Sequence, residues 1–366
     1  MDDYGIDSHK LTYHPEWTAR WKKAKSSVHW DDCKEIYPIY IEVTPSGACN
    51  HRCVFCAFDY VGYKPNFLDF KIFKKRLEEL ARLGVKAILY GGEGEPLLNK
   101  NIGEIIAYTA EVGINPALTP NGVLLNEKLL KKILNYLIWM KVSVDAGTAK
   151  TYAFIHGTKE EDFEKVLKNI ARAVIIKREN NYKCTIGAQM LLLPENAKEA
   201  VVLALKIKEI CADYFVVKPY SQHRMSLGAR YKKDLRYDNY YVSNLSNELE
   251  KLNSSDFKVI FRARTMEKLS EERLRFCGAV PFLWAHIMST GDVYSCSAFL
   301  KDKRFFLGNI YNQTFQEIWE GDLRKEHWLS MKDFDVFSKC RDNCRMNECN
   351  LYLWDLLNPS KHVNFI

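Results

Sequence analysis

The 366-residue chain has no uninterrupted apolar run of about 18 residues, the length that a membrane-spanning helix needs. Its acidic, polar start lacks the positively charged and apolar regions of a signal peptide. It also lacks the arginine-rich blocks, zinc-finger spacings and aromatic–basic signatures of nucleic-acid-binding proteins. We therefore expect a cytoplasmic protein that binds neither membranes nor nucleic acid.

The composition is that of an ordinary globular protein, with 47% hydrophobic, 13% aromatic and 27% charged residues. The length accommodates one large domain and a smaller one. The formal net charge of +7 suits an anionic substrate or cofactor, although a solvated surface explains it equally well. The 11 cysteines point further, because in a reducing cytosol cysteines are metal ligands more often than disulfides.

Three of these cysteines, Cys49, Cys53 and Cys56, form a C-x3-C-x2-C triplet directly after a strand-like segment. Three thiolates at this spacing can hold three irons of a cubane cluster and leave the fourth iron open to another ligand. The alternatives are a structural zinc loop or buried free thiols. Zinc sites usually add a second C-x2-C pair or nearby histidines, and here only His51 is close. The triplet therefore favours an open, catalytic iron–sulfur cluster.

From residue 38 onward, strand-like and helix-like segments alternate. The predicted strands cover residues 38–44, 85–90, 114–119, 139–144, 185–193 and 214–218. The predicted helices cover 69–83, 101–112, 126–137, a segment from a capping box at 158–161 to residue 177, and 196–211. Continuous apolar strands indicate a parallel sheet buried on both faces, and about six βα units predict an open, partial barrel.

Polar and glycine-rich segments follow these strands, at the edge where a parallel barrel gathers its site. Residues 91–96, Gly-Gly-Glu-Gly-Glu-Pro, follow the second strand, and Asn121 follows the third. Ser143 and Asp145 lie at the end of the fourth strand, and Gln189 lies in the fifth. Tight turns and helix caps are the simpler explanations for several of them.

The cysteine loop, with the aromatic Phe55 before its third cysteine, resembles the cluster loop of the radical S-adenosylmethionine (SAM) superfamily. The resemblance implies a [4Fe–4S] cluster whose open iron binds SAM. It also implies SAM contacts, to the amino group, carboxylate, ribose and adenine, from Gly94, Glu95, Asn121, Ser143, Asp145 and Gln189. The doubled Gly-Glu leaves Glu93 as a competitor of Glu95.

Five further cysteines lie near the C-terminus: Cys277, Cys296, Cys340, Cys344 and Cys349. With the hairpin signal Ser-Thr-Gly-Asp at 289–292, they resemble the auxiliary-cluster unit of the SPASM/twitch subfamily. Full SPASM units carry more cysteines, so we expect one auxiliary [4Fe–4S] cluster. Its expected ligands are Cys277, Cys296, Cys344 and Cys349, with Cys340 as a spare or alternative ligand. A structural zinc site is the alternative.

The predicted fold class is α/β, with a partial (β/α)6 radical SAM barrel and a C-terminal α+β SPASM/twitch-like iron–sulfur domain. Residues 1–35 are expected to form a flap against the main domain, and 36–220 the barrel. Residues 221–276 are expected to be an irregular connecting segment, and 277–366 the auxiliary-cluster domain.

The resemblance implies an enzyme that reductively cleaves SAM and abstracts hydrogen through a 5′-deoxyadenosyl radical, with electrons from a flavodoxin or ferredoxin. The single auxiliary site and the lack of a separate peptide-recognition domain favour dehydrogenation or epimerisation of a small molecule. That substrate would be carbohydrate-like or nucleotide-linked, and it would bear sugar or phosphate. The alternatives are a maturase of a ribosomal peptide or protein and a non-enzymatic electron-transfer protein.

Substrate contacts are expected after the sixth strand. Lys218 and Arg224 can hold phosphate, while Tyr220 and His223 can bind hydroxyls or move protons. A loop that covers the barrel rim is the alternative. Cys184, just before the fifth strand, is the candidate hydrogen donor to a substrate radical, and a small core residue is its other interpretation.

Overall fold

The computed structural model describes residues 4–6, 8–27, 29–228, 238–267, 276–341 and 344–365. Its strands are β1 (Tyr40–Val43), β2 (Ala87–Tyr90), β3 (Asn115–Leu118), β4 (Trp139–Ser143), β5 (Thr185–Leu192), β6 (Tyr214–Pro219), β7 (Lys258–Phe261), β8 (Trp284–Ile287), β9 (Asp292–Tyr294) and β10 (Phe306–Asn309).

Thirteen helices accompany these strands in the described ranges. They are α1 (Pro15–Ser26), α2 (Phe70–Arg82), α3 (Ile102–Glu111), α4 (Glu127–Ile133), α5 (Ala149–His156), α6 (Glu161–Glu179), α7 (Ala200–Glu209), α8 (Asn239–Glu250), α9 (Ala263–Glu267), α10 (Phe315–Glu320), α11 (Asp322–Ser330), α12 (Val336–Lys339) and α13 (Asn347–Leu357). None of them combines the length and the apolar character needed to cross a bilayer.

All ten strands form one sheet in the order β10-β9-β8-β1-β2-β3-β4-β5-β6-β7. Strands β1 to β7 pair in parallel and in chain order, which confirms the predicted partial barrel. Strand β8 pairs in parallel with the free side of β1, and β9 and β10 extend it as antiparallel strands. The predicted hairpin is therefore continuous with the barrel sheet.

Strand β4 shows how the sequence selects the two faces of the barrel. Met140 and Val142 are fully buried in the core between the sheet and its helices. Trp139, Lys141 and Ser143 alternate with them and face the interior cavity. The barrel wall is thus apolar outside, where helices cover it, and partly polar inside.

Helix α2 illustrates how the covering helices are specified. The Asp69 side chain caps its start by accepting a hydrogen bond from the Ile72 amide at 2.9 Å. Gly84, at φ +93°, follows its end, where a left-handed residue is favoured. Its buried positions recur at intervals of three and four residues, Phe73, Leu77 and Leu80.

The prediction that residues 221–276 form an irregular connection was wrong for residues 238–267. Residues 238–267 contain α8, β7 and α9, and β7 adds a seventh parallel strand next to β6. The strand was missed because it has only four residues, and its first is a lysine.

The capping box predicted at 158–161 was also wrong. Thr158 donates a hydrogen bond to Asp162, and α6 begins later, at Glu161.

The N-terminal segment packs mainly on the C-terminal unit, and not on the barrel as expected. Trp21 of α1 is fully buried there and donates from Nε1 to the Gly278 carbonyl at 3.0 Å. Its first described residues also reach the barrel, where Tyr4 and Ile6 pack on inward-facing residues of β6 and β7. The flap therefore connects the two cluster regions.

Candidate active site

The carboxyl ends of the barrel strands surround a cavity of about 620 Å³. Its wall includes Cys53, Phe55 and Cys56 from the loop after β1 and three glycines, Gly91, Gly92 and Gly94, from the loop after β2. The other predicted residues on this wall are Ser143, Asp145, Gln189, Lys218 and Tyr220. The barrel thus gathers around one space most of the site residues that were predicted within residues 36–220.

The cysteine loop is held against the end of α5. The amides of Arg52 and Val54 donate to the carbonyls of His156 and Ile155, at 3.0 and 2.9 Å. The Cys53 sulfur lies 3.5 Å from Nδ1 of His156, a contact that sequence spacing did not reveal because 103 residues separate the two. Burial and the neighbouring thiols raise the pKa of Cys53 well above its usual value.

The electrostatics of this loop fit a bound iron–sulfur cluster. Burial raises the pKa of Cys49 to about 11 and also raises that of Cys56. Ionised thiols at this place are therefore costly unless a metal charge replaces the protons. Cys49, Cys53 and Cys56 present such a set of thiols beside the cavity.

Two histidines lie beside the loop. His51, Cys53 and His156 offer ligand atoms within 4.8 Å of one another. Burial lowers the pKa of His51 to about 4 and that of His156 well below its usual value, so both rings are neutral at pH 7. His156 Nε2 accepts a hydrogen bond from the Asp145 amide at 3.2 Å. His156 therefore connects the cluster loop to the end of β4.

Of the two competing glutamates, Glu95 lies beside the cluster loop. Its carboxylate accepts hydrogen bonds from the amides of Leu97 and Asn121, at 3.1 and 2.8 Å. Burial raises the pKa of Glu95 to about 7. Glu93 instead accepts a hydrogen bond from Ser289 Oγ at 2.5 Å, toward the C-terminal hairpin. SAM binding by Glu95 stays a prediction.

Gly94 is required by the protein backbone. A Cβ at this position would lie 2.2 Å from the Ser46 carbonyl oxygen and 2.4 Å from that of Ala48. The loop after β2 thus packs directly on the loop that carries Cys49. Asn121 completes this corner, because its Nδ2 donates to the side-chain oxygen of Asn50 at 2.7 Å.

A chain of polar side chains crosses the cavity wall between β4 and β6. Gln189 donates from Nε2 to Ser143 Oγ at 2.9 Å, and Lys218 donates from Nζ to Gln189 Oε1 at 3.0 Å. Asp145 accepts from the Leu191 amide at 2.5 Å, and burial raises the pKa of this carboxyl to about 7. These groups present donors and acceptors to a polar ligand.

Two of the predicted substrate residues do not line the cavity. His223 is buried against Tyr60, with ring centroids 5.2 Å apart, and burial lowers its pKa to about 4. Arg224 is exposed and donates to the Ser338 carbonyl, because the chain turns outward after Tyr220. Tyr220 itself is buried on the cavity wall, next to Phe55.

Cys184 does not fit the predicted role of hydrogen donor. It lies before the first residue of β5, at the opposite end of the strand from the site. Five residues separate it from Gln189, which is about 16 Å along a strand. Its thiol is buried in the core under the helices, and burial raises its pKa to about 12. Cys184 is a core residue.

Sequence analysis missed four cations that line the cavity, Lys141, Arg262, Arg341 and Arg345. The one available signal was Lys141, a charged residue inside an otherwise apolar strand. Arg345 donates to Glu42 at 2.6 Å, and its side chain keeps 44% of its surface accessible because it faces the cavity. With Lys10 and Lys218, six cationic side chains face two carboxylates among the described residues, Glu42 and Asp145.

The five C-terminal cysteines gather in one place. The charge of Cys344 acts on all four of the others, and Cys340 is its hydrogen-bonding partner. The charges of Cys277 and Cys296 also act on Cys340, whereas among the cysteines only Cys344 acts on Cys349. Cys340 is therefore electrostatically coupled to three of the other cysteines, and the choice of Cys349 as the fourth ligand with Cys340 as a spare stays a prediction.

The sulfur spacing disfavours a zinc site. Four thiolates around zinc lie about 3.8 Å apart, because Zn–S bonds of about 2.3 Å point to the corners of a tetrahedron. Among the described residues, no three cysteine sulfurs lie within 4.8 Å of one another. In the described part of the chain, neither cysteine set therefore has three sulfurs at the spacing of a zinc site.

Comparisons with known proteins match both cluster regions. Residues 43–206 match the family model of the radical SAM superfamily, and residues 277–345 match that of an iron–sulfur cluster-binding domain, SPASM. A tungsten-containing aldehyde ferredoxin oxidoreductase cofactor-modifying protein of Pyrococcus furiosus is 21% identical over 332 residues. The match covers 85% of this chain and 88% of that protein.

Two further similarities cover different parts of the chain. A dTDP-4-amino-4,6-dideoxy-D-glucose ammonia-lyase of Streptomyces venezuelae is 24% identical over 46% of this chain, which spans only 36% of the lyase. The crystal structure of Streptococcus suis SuiB bound to its precursor peptide SuiA aligns at a TM-score of 0.64 and 18% identity. That alignment covers 88% of this chain and 71% of SuiB, and it shows a shared fold.

Proposed function

For this chain, which belongs to the radical SAM superfamily and carries a C-terminal SPASM iron–sulfur domain, we propose catalysis on a small anionic molecule held in the barrel cavity. The single observation that carries the proposal is the excess of cationic side chains on the cavity wall. The reaction type is a dehydrogenation or epimerisation, in a cytoplasmic setting with a flavodoxin or ferredoxin as electron donor.

The cofactors are a [4Fe–4S] cluster that binds SAM, SAM itself and auxiliary iron–sulfur. When bound and reduced, the cluster and SAM supply a 5′-deoxyadenosyl radical that abstracts hydrogen. The residues proposed to hold the cluster are Cys49, Cys53 and Cys56. The residues proposed to hold SAM are Phe55, Gly94, Glu95, Asn121, Ser143, Asp145 and Gln189.

The cationic wall is difficult to explain as a stabilising feature of the fold. Two like charges roughly 6 Å apart repel by about 3 kcal/mol at an effective dielectric constant of about 20. The pKa of Lys141 and that of Lys218 are lowered, first by burial and also by neighbouring cations. An anionic substrate removes this repulsion when it binds, so the repulsion in the free protein favours substrate binding.

The remaining wall residues orient the substrate and limit the access of water. Gln189 and Ser143 present an amide and a hydroxyl to the hydroxyls of the SAM ribose and so set where the substrate must lie. Tyr220 and Phe55 pack together next to Cys53, and their rings form an apolar wall beside the proposed cluster. The archaeal relative, whose name describes a cofactor-modifying protein, and the lyase named for a dTDP-linked sugar are in line with a small anionic substrate.

A second candidate function is the maturation of a ribosomal peptide or protein. The observation that favours it is the similarity of fold to SuiB, which was crystallised with its precursor peptide. On this hypothesis the cationic wall binds acidic side chains of the peptide.

The experiment that tests the proposal measures 5′-deoxyadenosine from the anaerobically reconstituted, dithionite-reduced protein with SAM. We expect sugar phosphates or nucleotide sugars to stimulate its formation, and neutral sugars of the same size to have no effect. Stimulation by peptides alone would favour the maturase. No SAM cleavage with any candidate would contradict both enzymatic functions.

A further inference from the structure

A lysine faces the interior of the barrel without a compensating carboxylate. Lys141 lies at the centre of β4, two residues before Ser143 and therefore about 7 Å further from the carboxyl edge of the sheet. Among the described residues, its ammonium group has no ion-pair partner and donates no hydrogen bond. The ammonium group lies over the Trp139 ring, 5.3 Å from the ring centroid.

An aromatic floor lies beneath this lysine. Trp139 faces the cavity from the start of β4. Gly187 pairs with Lys141 across the sheet, and a Cβ on Gly187 would lie 2.5 Å from the Tyr214 ring. Tyr4 of the N-terminal segment packs on the same ring, with centroids 4.9 Å apart. Because this floor is apolar, a charge above it is poorly solvated and interacts strongly with a counter-ion.

Two further cations line the same cavity from strands two and three places away from β4 in the sheet. Lys218 lies on β6, and Arg262 follows the end of β7. Burial, and then the charges of Lys218, Arg262 and Arg345, lowers the pKa of Lys141 to about 7. Lys218 is partly compensated by Asp145, and Arg345 by Glu42. No acidic group that the structure describes acts on the pKa of Lys141.

We propose that Lys141, Lys218 and Arg262, which line one cavity, form a subsite for the phosphoryl group of the substrate on the β4–β7 side of the barrel. A phosphate monoester carries nearly two negative charges and three acceptor oxygens, so it can accept from several donors at once. A carboxylate offers one charge and compensates one of the three cations. The inference rests on the proposed function and deepens it by naming the substrate class, a phosphorylated small molecule.

The test measures ligand binding to the full-length, anaerobically reconstituted protein by isothermal titration calorimetry. The probes are inorganic phosphate and glucose 1-phosphate, added separately and in competition. We expect both to bind to one site in the wild type. We expect Lys141→Met to weaken both at least tenfold, and Lys141→Arg to retain part of the affinity. Lys128→Met removes an exposed lysine of α4 and serves as the matched control with unchanged binding.

Three results would overturn the inference. The first is that Lys141→Met binds both probes as tightly as the wild type does. The second is that Lys128→Met loses as much affinity as Lys141→Met. The third is that inorganic phosphate binds but glucose 1-phosphate does not compete with it. The last result would mean a site for the free ion. If Lys141→Met does not assemble its clusters, as shown by the loss of their absorbance, Arg262→Gln replaces it in the same binding test.

SAM cleavage on the same preparations reports separately on the proposed function. Cleavage without Lys141-dependent phosphate binding contradicts only the subsite. If phosphate binding depends on Lys141 but the wild type does not cleave SAM, the result contradicts only the enzymatic function.

Discussion

Arg345 donates from Nη2 to Glu42 Oε2 across 2.6 Å and so joins the first barrel strand to the residue directly after Cys344. Glu42 is buried, and burial opposes its ionisation, but the Arg345 charge and His286 hold the pKa of this carboxyl below its usual value. The pair therefore connects the two cysteine sets through one charged contact.

Glu42→Gln removes the charge of this contact while keeping the side-chain shape. We expect the free energy of unfolding to fall by about 1–3 kcal/mol, less than for a fully buried pair, because Arg345 keeps access to the cavity. Chemical denaturation under anaerobic conditions measures it. Glu104→Gln, which weakens an exposed ion pair with Lys132, is the control, with a change of at most about 1 kcal/mol. Equal effects of the two variants would contradict the structural role of Glu42.

Cys53→Ala removes the sulfur nearest His156. If both cysteine sets hold cubane clusters, the wild type contains about eight irons and the variant about four. The variant should form no 5′-deoxyadenosine. Cys211→Ala, which removes an exposed thiol outside both sets, should keep the iron and the activity. An unchanged iron content in Cys53→Ala would show that the triplet is not a cluster site.

Cys340→Ser and Cys349→Ser decide the fourth ligand of the auxiliary site. Because Cys340 interacts with three of the other cysteines and Cys349 with Cys344 alone, we expect Cys340→Ser to lose most of the auxiliary iron. We expect Cys349→Ser to retain it. Iron analysis with electron paramagnetic resonance of the reduced protein measures both, and the reverse result would restore the sequence-based choice of Cys349.

Lys141 makes stability depend on pH in a predictable direction. Its pKa of about 7 in the fold lies below its value of about 10.4 in the unfolded chain. The unfolded state therefore binds more protons between these values, and stability rises with pH across that range and is flat below about pH 7. We expect Lys141→Met to exceed the wild type by about 2 kcal/mol near pH 7, because the cavity remains partly hydrated. The difference should shrink toward pH 10, and a difference that is constant with pH would contradict this reasoning.

Gly94→Ala tests the packing of the two loops. The new Cβ would meet the carbonyl oxygens of Ser46 and Ala48, and the backbone must shift to accommodate it. We expect a loss of cluster iron at the triplet. Gly84→Ala is the control, because Gly84 has a positive φ but open space around it. It should cost about 1 kcal/mol of stability and no iron, whereas equal iron losses would point to general destabilisation.

Much of the barrel follows from local pattern. The apolar strands and the helix signals around Asp69 and Gly84 predicted element type and order, because burial on both faces selects continuous apolar runs. Strand β7 and the start of α6 were missed where a short strand or a turn competes with the pattern. Thr158 is of a residue type that often caps helices, but its hydroxyl donates to Asp162 and it lies in the connection between α5 and α6.

The site was less predictable because strand alternation and long-range contacts decide it. His156 lies next to Cys53 only because the end of α5 packs against the cysteine loop in the folded chain. Glu93 and Glu95 could not be distinguished in the sequence. In the fold they differ because Glu93 accepts a hydrogen bond from Ser289 of the C-terminal hairpin. Lys141 could be recognised from its place in an apolar strand, but Arg341 and Arg345 come from the far end of the chain.

The pairing of β8 with β1 has a consequence for how the chain is made. During synthesis the edge of β1 has no partner until Ile287 has left the ribosome, although β2 to β7 are complete by then. An unpaired edge of a parallel sheet is a template for association with other chains. Strand β8 therefore removes this edge only when the chain is nearly complete, in addition to the role of its hairpin beside the auxiliary cysteines.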